Sequence, residues 1–200
     1  MRITGGIARG IPLILPTRGE IRPATDYLRE AVFSSLGELV AGASVLDCFA
    51  GTGAYSWEAL SRGAASAILA DKNPAASVAQ KKNFAALKKS LEARGVSVPA
   101  VRFLSADLLG ARPFPQDLPF ADLIFCDPPW ALWQKPEMES VVEKISAYAK
   151  KDSPNTRLIL ETPAGFEPGV PAGWRLLKRI GKKGKDQPAA NVFVPEAFAL

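Results

Sequence analysis

Two hundred residues, 48% hydrophobic and 22% charged, suffice for one globular domain with a sizeable core and exclude disorder and a coiled coil. Lysine and arginine outnumber aspartate and glutamate by 25 to 20, a formal net charge of +5 that makes the surface attractive to polyanions. Histidine is absent and cysteine occurs twice, which excludes Ser-His-Asp and Cys-His catalysis and argues against a structural zinc site.

In chain order, residues 2–15 contain Gly5, Gly6, Gly10 and Pro12 and read as a small hairpin. Residues 26–40 place Leu28, Val32, Leu36 and Leu39 on one helical face. From Ser44 the pattern changes to short apolar runs alternating with helices, as in a parallel sheet covered by crossover helices. The strand-like runs are residues 44–49, 66–70, 100–105, 121–126 and 156–161. The clearest helix spans residues 74–94: Pro74 suits its first position, Val78, Phe84, Leu87 and Leu91 share a face, and Gly95 stops it. Lys81, Lys82, Lys88 and Lys89 then form a solvated face. The Pro-rich stretch 112–119 is a surface loop before the fourth strand. Residues 174–180 and 191–200 are strand-like with no helix between them, which predicts a closing antiparallel hairpin. The fold class is therefore α/β, with a seven-stranded, mostly parallel sheet and a small N-terminal extension; strand order is not readable from one sequence. No apolar run approaches the roughly 18 residues of a membrane span. The chain reads as cytoplasmic, with Cys48 and Cys126 as reduced, buried thiols.

Asp47-Cys48-Phe49-Ala50-Gly51-Thr52-Gly53 runs from a strand through a glycine turn into a helix beginning near Ala54. Glycine lets backbone approach a ligand, and a helix N-terminus presents unpaired N–H groups to a negative or polar one. Ser56 stands where the third glycine of a dinucleotide fingerprint would lie, which weakens a pyrophosphate reading. Asp71 ends the second strand at close to the roughly 20-residue spacing at which an acid meets ribose hydroxyls; a helix-capping role is the competing reading. Asp107 follows the third strand. All three acids fall at carboxyl strand ends, the edge where open α/β sheets bind ligands.

Asp127-Pro128-Pro129-Trp130 follows the fourth strand and is the most specific signal in the chain. Two prolines stiffen the loop and cannot donate hydrogen bonds. The Asp127 carboxylate and Pro128 carbonyl can hold both N–H bonds of a planar exocyclic amine, favouring its pyramidal, nucleophilic form through orientation and electrostatics. Trp130 offers a flat face for a flipped base.

These motifs are similar to the cofactor and catalytic motifs of S-adenosylmethionine-dependent amino-methyltransferases. Arg2-Ile3, Gly5, Arg9-Gly10 and Arg22-Pro23-Ala24-Thr25-Asp26-Tyr27-Leu28-Arg29-Glu30-Ala31-Val32-Phe33 narrow the resemblance to the RsmD family of small-subunit (16S) ribosomal RNA guanine-N2 methyltransferases. The resemblance covers roughly residues 1–165. It implies a Rossmann-like methyltransferase fold, with residues 44–200 as the methyltransferase domain and residues 1–43 as an RNA-docking extension. It makes Asp47, Phe49, Gly51 and Gly53 the cofactor loop, Asp71 the ribose ligand and Asp107 an adenine contact. Asp127, Pro128, Pro129 and Trp130 become the target-amine clamp. The implied cofactor is S-adenosyl-L-methionine and the implied partner is 16S ribosomal RNA within an assembled or assembling small subunit, with no metal, no membrane and a monomeric enzyme. The family more often has Phe or Tyr where this chain has Trp130. Asp-Pro-Pro-Trp also occurs in adenine-N6 methyltransferases, where it commonly precedes the glycine motif; here it follows, which favours guanine. The alternatives are an adenine-N6 or cytosine-N4 nucleic-acid methyltransferase, or a non-catalytic RNA-binding assembly factor of the same fold.

Two basic clusters remain. Arg2, Arg9, Arg18, Arg22 and Arg29 favour phosphate contact, because a planar guanidinium grips phosphate bidentately. Arg2, Arg9 and Arg22 are the residues expected to contact RNA. Arg175, Lys178, Arg179, Lys182, Lys183 and Lys185 are explained as well by solubility as by RNA. Because the glycine loop and Asp71 lie elsewhere, removal of residues 1–18 is expected to leave cofactor binding intact.

Overall fold

The computed structural model describes residues 1–16, 25–181 and 187–198. Its strands are β1 (Ser44–Cys48), β2 (Ser66–Asp71), β3 (Ala100–Ser105), β4 (Leu123–Cys126), β5 (Arg157–Thr162), β6 (Trp174–Ile180) and β7 (Ala189–Pro195). They form one sheet in the order β3-β2-β1-β4-β5-β7-β6. The first five are parallel, and β7 runs antiparallel to both β5 and β6. From β1 the chain moves outward to β2 and β3, then returns to place β4 on the other side of β1. This reversal opens a crevice at the carboxyl ends of β1 and β4, where sheets of this kind bind ligands.

Side chains along the central strands alternate between two apolar layers, as a period of two requires. Val45, Leu69, Leu123, Phe125 and Ile159 face one layer, while Leu46, Ala70, Ile124, Leu158 and Leu160 face the other. The first layer is covered by α1 (Thr25–Leu36), α2 (Ala54–Ser61) and α3 (Pro74–Glu92), through Leu28, Val32, Phe33, Trp57 and Leu87. The second is covered by α4 (Glu137–Ser146), through Val141, Val142 and Ile145, joined by Trp133. Phe114 and Leu118 pin the Pro-rich 112–119 loop to this second layer.

Several boundaries differ from the sequence expectation for identifiable reasons. The helix over 26–40 divides at Gly37, whose φ of +54° cannot continue an α-helix; a 3-10 turn (Gly37–Val40) follows, and Val40 rather than Leu39 is buried. On α3, Asn73 Oδ1 accepts from the Ala75 N–H at 2.9 Å and Pro74 takes the first position, but Val78 faces solvent. The buried face instead carries Ala76, Ala79, Gln80, Asn83, Leu87 and Leu91. β7 begins at Ala189 and ends at Pro195, which lacks an N–H to donate to a longer ladder; Leu200 lies outside the described residues. The N-terminal hairpin is present as an Arg2–Pro12 bridge, with Ile3 donating to Ile11 O at 3.0 Å and Gly10 donating to Ile3 O at 2.8 Å.

That hairpin is bound to α2. The Thr4 N–H and hydroxyl donate to the buried Glu58 carboxylate at 2.7 and 2.8 Å, and the Ser61 hydroxyl donates to Gly5 O at 2.7 Å. Ile3, Ala8 and Leu13 join the first apolar layer, so residues 1–13 share a core with the sheet. No helix among the described residues is long and apolar enough to cross a membrane.

Candidate active site

A cavity of about 600 Å³ lies at the carboxyl ends of the central strands. Its wall includes Asp47, Phe49, Gly51, Asp71, Asp127, Pro128 and Pro129. Gly53, Asp107 and Trp130 are not part of it.

β1 delivers the first group. After Cys48 the chain turns at Phe49, a non-glycine residue with a φ of +58°, which brings its ring to the cavity wall. Gly51 has a φ of +52°, and its N–H donates to Asp71 Oδ2 at 2.8 Å. Gly53 is required for a different reason. A Cβ there would sit 2.5 Å from the Trp57 indole nitrogen and 2.6 Å from Leu69 Cδ2, so its absence lets α2 pack on β2.

Asp47 is 2% exposed; its Oδ2 accepts from the Ser56 N–H at 3.1 Å and the Ser56 hydroxyl at 2.7 Å. Burial pushes its pKa up from 3.8 to about 7, against the lowering effect of the Ser56 hydrogen bonds. Ser56, read from the sequence only as a missing glycine, thus anchors the β1 carboxylate. Asp71 is held by the Gly51 N–H on one oxygen and the Asn73 N–H, at 2.8 Å, on the other. Asn73 rather than Asp71 caps α3, and each Asp71 oxygen retains acceptor capacity for a ligand. Asp107 stands outside the wall, paired with Lys72 Nζ at 3.5 Å and accepting from the Leu109 N–H at 3.2 Å. Its neighbours Ala106, Leu108 and Leu109 supply an apolar wall instead.

The Asp127 loop leaves β4 beside the glycine turn: Cys48 pairs with Cys126, and the Asp127 N–H donates to Cys48 O at 3.4 Å. Both cysteines are free and buried, and burial pushes both thiols well above their ordinary pKa. Pro128 is buried and Pro129 exposed; Trp130, half-buried, opens a 3-10 turn (Trp130–Gln134) in which Leu132 N–H donates to Pro129 O at 2.8 Å.

Several residues that line or brace the cavity were not legible in the sequence because their partners are remote in the chain. Gln80 Nε2 donates to Gly51 O at 3.1 Å, and Asn83 Nδ2 donates to Thr52 O at 3.1 Å, so α3 holds the glycine turn by its carbonyls. Asn83 also clasps the backbone of Ile14, accepting its N–H at 2.7 Å and donating to its carbonyl at 3.0 Å. Two polar residues three apart on an otherwise apolar helix face were the available signal. Met1, Leu15 and Pro16 line the same cavity as Gly51 and Asp71, so the N-terminal segment does not lie apart from the glycine loop as its place in the sequence suggests. Tyr55, Glu161 and Arg29 also line the cavity. Arg29, grouped by sequence with the docking arginines, is 2% exposed; it pairs with Asp26 at 2.8 Å and Glu58 at 3.4 Å and donates to Arg2 O. Its role is internal. Arg2 and Arg9 are exposed, whereas Arg22, with Arg18, Lys182, Lys183 and Lys185, lies outside the described residues.

A doubly wound sheet closed by an antiparallel hairpin, with its crevice between the first and fourth strands, is the fold of Rossmann-like methyltransferases. A solved putative methyltransferase from Escherichia coli superposes with a TM-score of 0.67 at 30% identity over 98% of both chains. The family model described as "Conserved hypothetical protein 95" matches residues 1–186. A ribosomal RNA small subunit methyltransferase D from Escherichia coli K12 is 36% identical over 176 residues, covering 88% of this chain and 82% of that protein. A protein of the same name from Haemophilus influenzae is 29% identical over 181 residues, with 89% and 86% covered. The chain belongs to this family, the one its N-terminal motifs resemble.

Proposed function

We propose that the protein is an enzyme that transfers a methyl group from S-adenosyl-L-methionine to the exocyclic N2 amine of a guanine in 16S ribosomal RNA. The observation that carries this reading is the convergence of two strand ends in one cavity. The Gly51–Asp71 hydrogen bond fixes a cofactor-sized cradle after β1, and Asp127-Pro128 enters the same space from the adjacent β4. A cavity of about 600 Å³ suits a nucleoside cofactor, and the open backbone face at Gly51, where an added Cβ would meet nothing closer than 3.9 Å, leaves room for it.

Asp71 accepts the ribose hydroxyls through the lone pairs that its backbone donors leave. Ala106, Leu108 and Leu109 pack on the adenine with Asp107 at its rim, while Asp47, Phe49 and Gly51 shape the methionine side and Gly53 lets α2 pack behind them. S-adenosylmethionine supplies a methyl group already activated on a sulfonium, so neither a metal nor a covalent enzyme intermediate is needed. Asp127 and the Pro128 carbonyl accept the two N2–H bonds and aim the nitrogen lone pair at the methyl carbon, with Pro129 stiffening the loop and Trp130 flanking the base. The carbon–nitrogen bond forms as the carbon–sulfur bond breaks, and the surplus N2 proton passes to Asp127 or water. Residues 1–43 serve as the RNA-docking extension through Arg2, Arg9 and Arg22, and the enzyme acts as a cytoplasmic monomer on an assembled or assembling small subunit.

Tritium transfer tests the reading. Labelled S-adenosylmethionine should pass its methyl group to 16S RNA in small subunits lacking the modification. A protein that binds S-adenosylhomocysteine and RNA but transfers no label would instead be an assembly factor.

A further inference from the structure

Glu161 lies next to the end of β5 and is 3% exposed, yet its side chain lines the cavity. Cys126 pairs with Leu160 across the β4–β5 ladder, so the next residues on each strand, Asp127 and Glu161, reach the cavity side by side. Glu161 is held from two directions. The Tyr55 hydroxyl donates to Oε2 at 2.7 Å, and the Trp133 indole N–H donates to its carbonyl at 3.0 Å. Tyr55 is itself fixed by stacking on Phe125, with ring centroids 4.7 Å apart. Glutamine would accept the tyrosine hydrogen bond equally well without placing a second acid beside Asp127. A carboxylate oxygen accepts more than one hydrogen bond, so the bond from Tyr55 leaves Glu161 able to accept from a ligand in the cavity.

We propose that Glu161 selects guanine, its carboxylate accepting the N1–H of the base whose N2 amine Asp127 holds. This inference rests on the guanine-N2 reading above. Guanine carries N1–H and the N2 amine as adjacent donors on one edge, and two neighbouring carboxylates match that edge. Adenine and cytosine carry their exocyclic amines beside a ring nitrogen that bears a lone pair, N1 or N3. That lone pair would face the Glu161 oxygen with no hydrogen between them. One residue thus attracts guanine and repels the other two amine-bearing bases. Tyr55 acts as the positioning residue that keeps the carboxylate on the N1 side.

The discriminating probe is an RNA substrate whose target guanosine is replaced by 2-aminopurine riboside, which keeps the 2-amine and lacks N1–H. The wild type should prefer guanine strongly in kcat/KM. Glu161→Gln should lower guanine kcat/KM by about 10- to 100-fold, the loss of one charge-assisted hydrogen bond. It should leave S-adenosylhomocysteine affinity near wild type, and it should narrow the guanine to 2-aminopurine ratio, because the amide N–H can donate to the unprotonated N1. Tyr55→Phe should narrow the same ratio to a smaller extent, and it carries the test if Glu161→Gln does not fold. An unchanged ratio in the folded variant overturns the role of Glu161 alone. Absence of N2-methylguanosine with the wild type overturns the guanine reading, and this inference with it.

Discussion

Asp47, Asp71 and Asp127 are three carboxylates on adjacent strand ends, and the backbone around each sets what it can do. Asp47 is enclosed, so its pKa is raised to about 7, while Asp71 is gripped by two N–H groups. Between pH 4 and 7 the folded protein keeps a proton on Asp47 that the unfolded chain releases. The Asp47 contribution to stability is therefore most favourable at pH 4, declines as pH rises to about 7, and is level above that. Asp47→Asn removes this slope. Urea midpoints measured from pH 4 to 8 should show the variant gaining on wild type by up to about 4 kcal/mol as pH rises; a constant difference would show that Asp47 titrates normally. Asp71→Ala should weaken S-adenosylhomocysteine binding by roughly 1.5 to 3 kcal/mol. Calorimetry showing unchanged affinity in a folded variant would remove Asp71 from the site. The three acids were legible because the strand-end rule needs only local sequence. Glu161 obeys the same rule but was passed over, since its meaning depends on Tyr55 and Asp127, both distant in the chain. Gly53 shows the reverse: its glycine was legible, but its task is to make room for Trp57.

The elements were legible wherever local pattern decides them. All seven strands fall within two residues of expectation at their starts, and α3 carries its Pro74 start and Gly95 stop. Val78 misled because a hydrophobic period cannot tell which of two nearby faces meets the sheet. The buried face of α3 is partly polar because Gln80 and Asn83 secure two carbonyls of the glycine turn. Asn83→Asp keeps the acceptor for the Ile14 N–H but loses the amide donors to Ile14 O and Thr52 O. This change should destabilise the protein by about 1 to 3 kcal/mol and weaken S-adenosylhomocysteine binding, whereas Lys88→Ala on the solvated face should do neither. Equal chemical denaturation curves and equal affinities for Asn83→Asp and wild type would mean that the clasp does not shape the cavity. Truncation of residues 1–16 should likewise weaken cofactor binding, through removal of Met1, Leu15 and Pro16 from the wall.

At the scale of the molecule, strand order and the packing of the N-terminal hairpin on α2 could not be read from the sequence, because both depend on contacts between remote segments. The charge pattern was readable, and the structure divides it. Arg29 is internal, Arg2 and Arg9 are exposed, and Arg175, Lys178 and Arg179 project from the exposed part of β6, the edge of the sheet. Charges on an edge strand block unwanted strand pairing, which accounts for that cluster without RNA. Replacing Arg2 and Arg9 together by Ala should weaken RNA or subunit binding and flatten its salt dependence, by roughly 0.7 to 0.9 in log–log slope for each phosphate that is no longer neutralised. Equal slopes would move the docking surface to the β6 edge.

The proposed activity joins these scales, since it requires the α3-braced turn, the paired strand ends and an RNA-facing surface to act on one base. Its most direct test is the identity of the product nucleoside. 16S RNA methylated by the protein is digested and resolved by mass spectrometry, with Asp127→Ala run in parallel. N2-methylguanosine is expected from the wild type and little or none from Asp127→Ala, with S-adenosylhomocysteine affinity preserved in the variant. N6-methyladenosine or N4-methylcytidine as the product, or wild-type turnover by Asp127→Ala, would contradict the proposed activity.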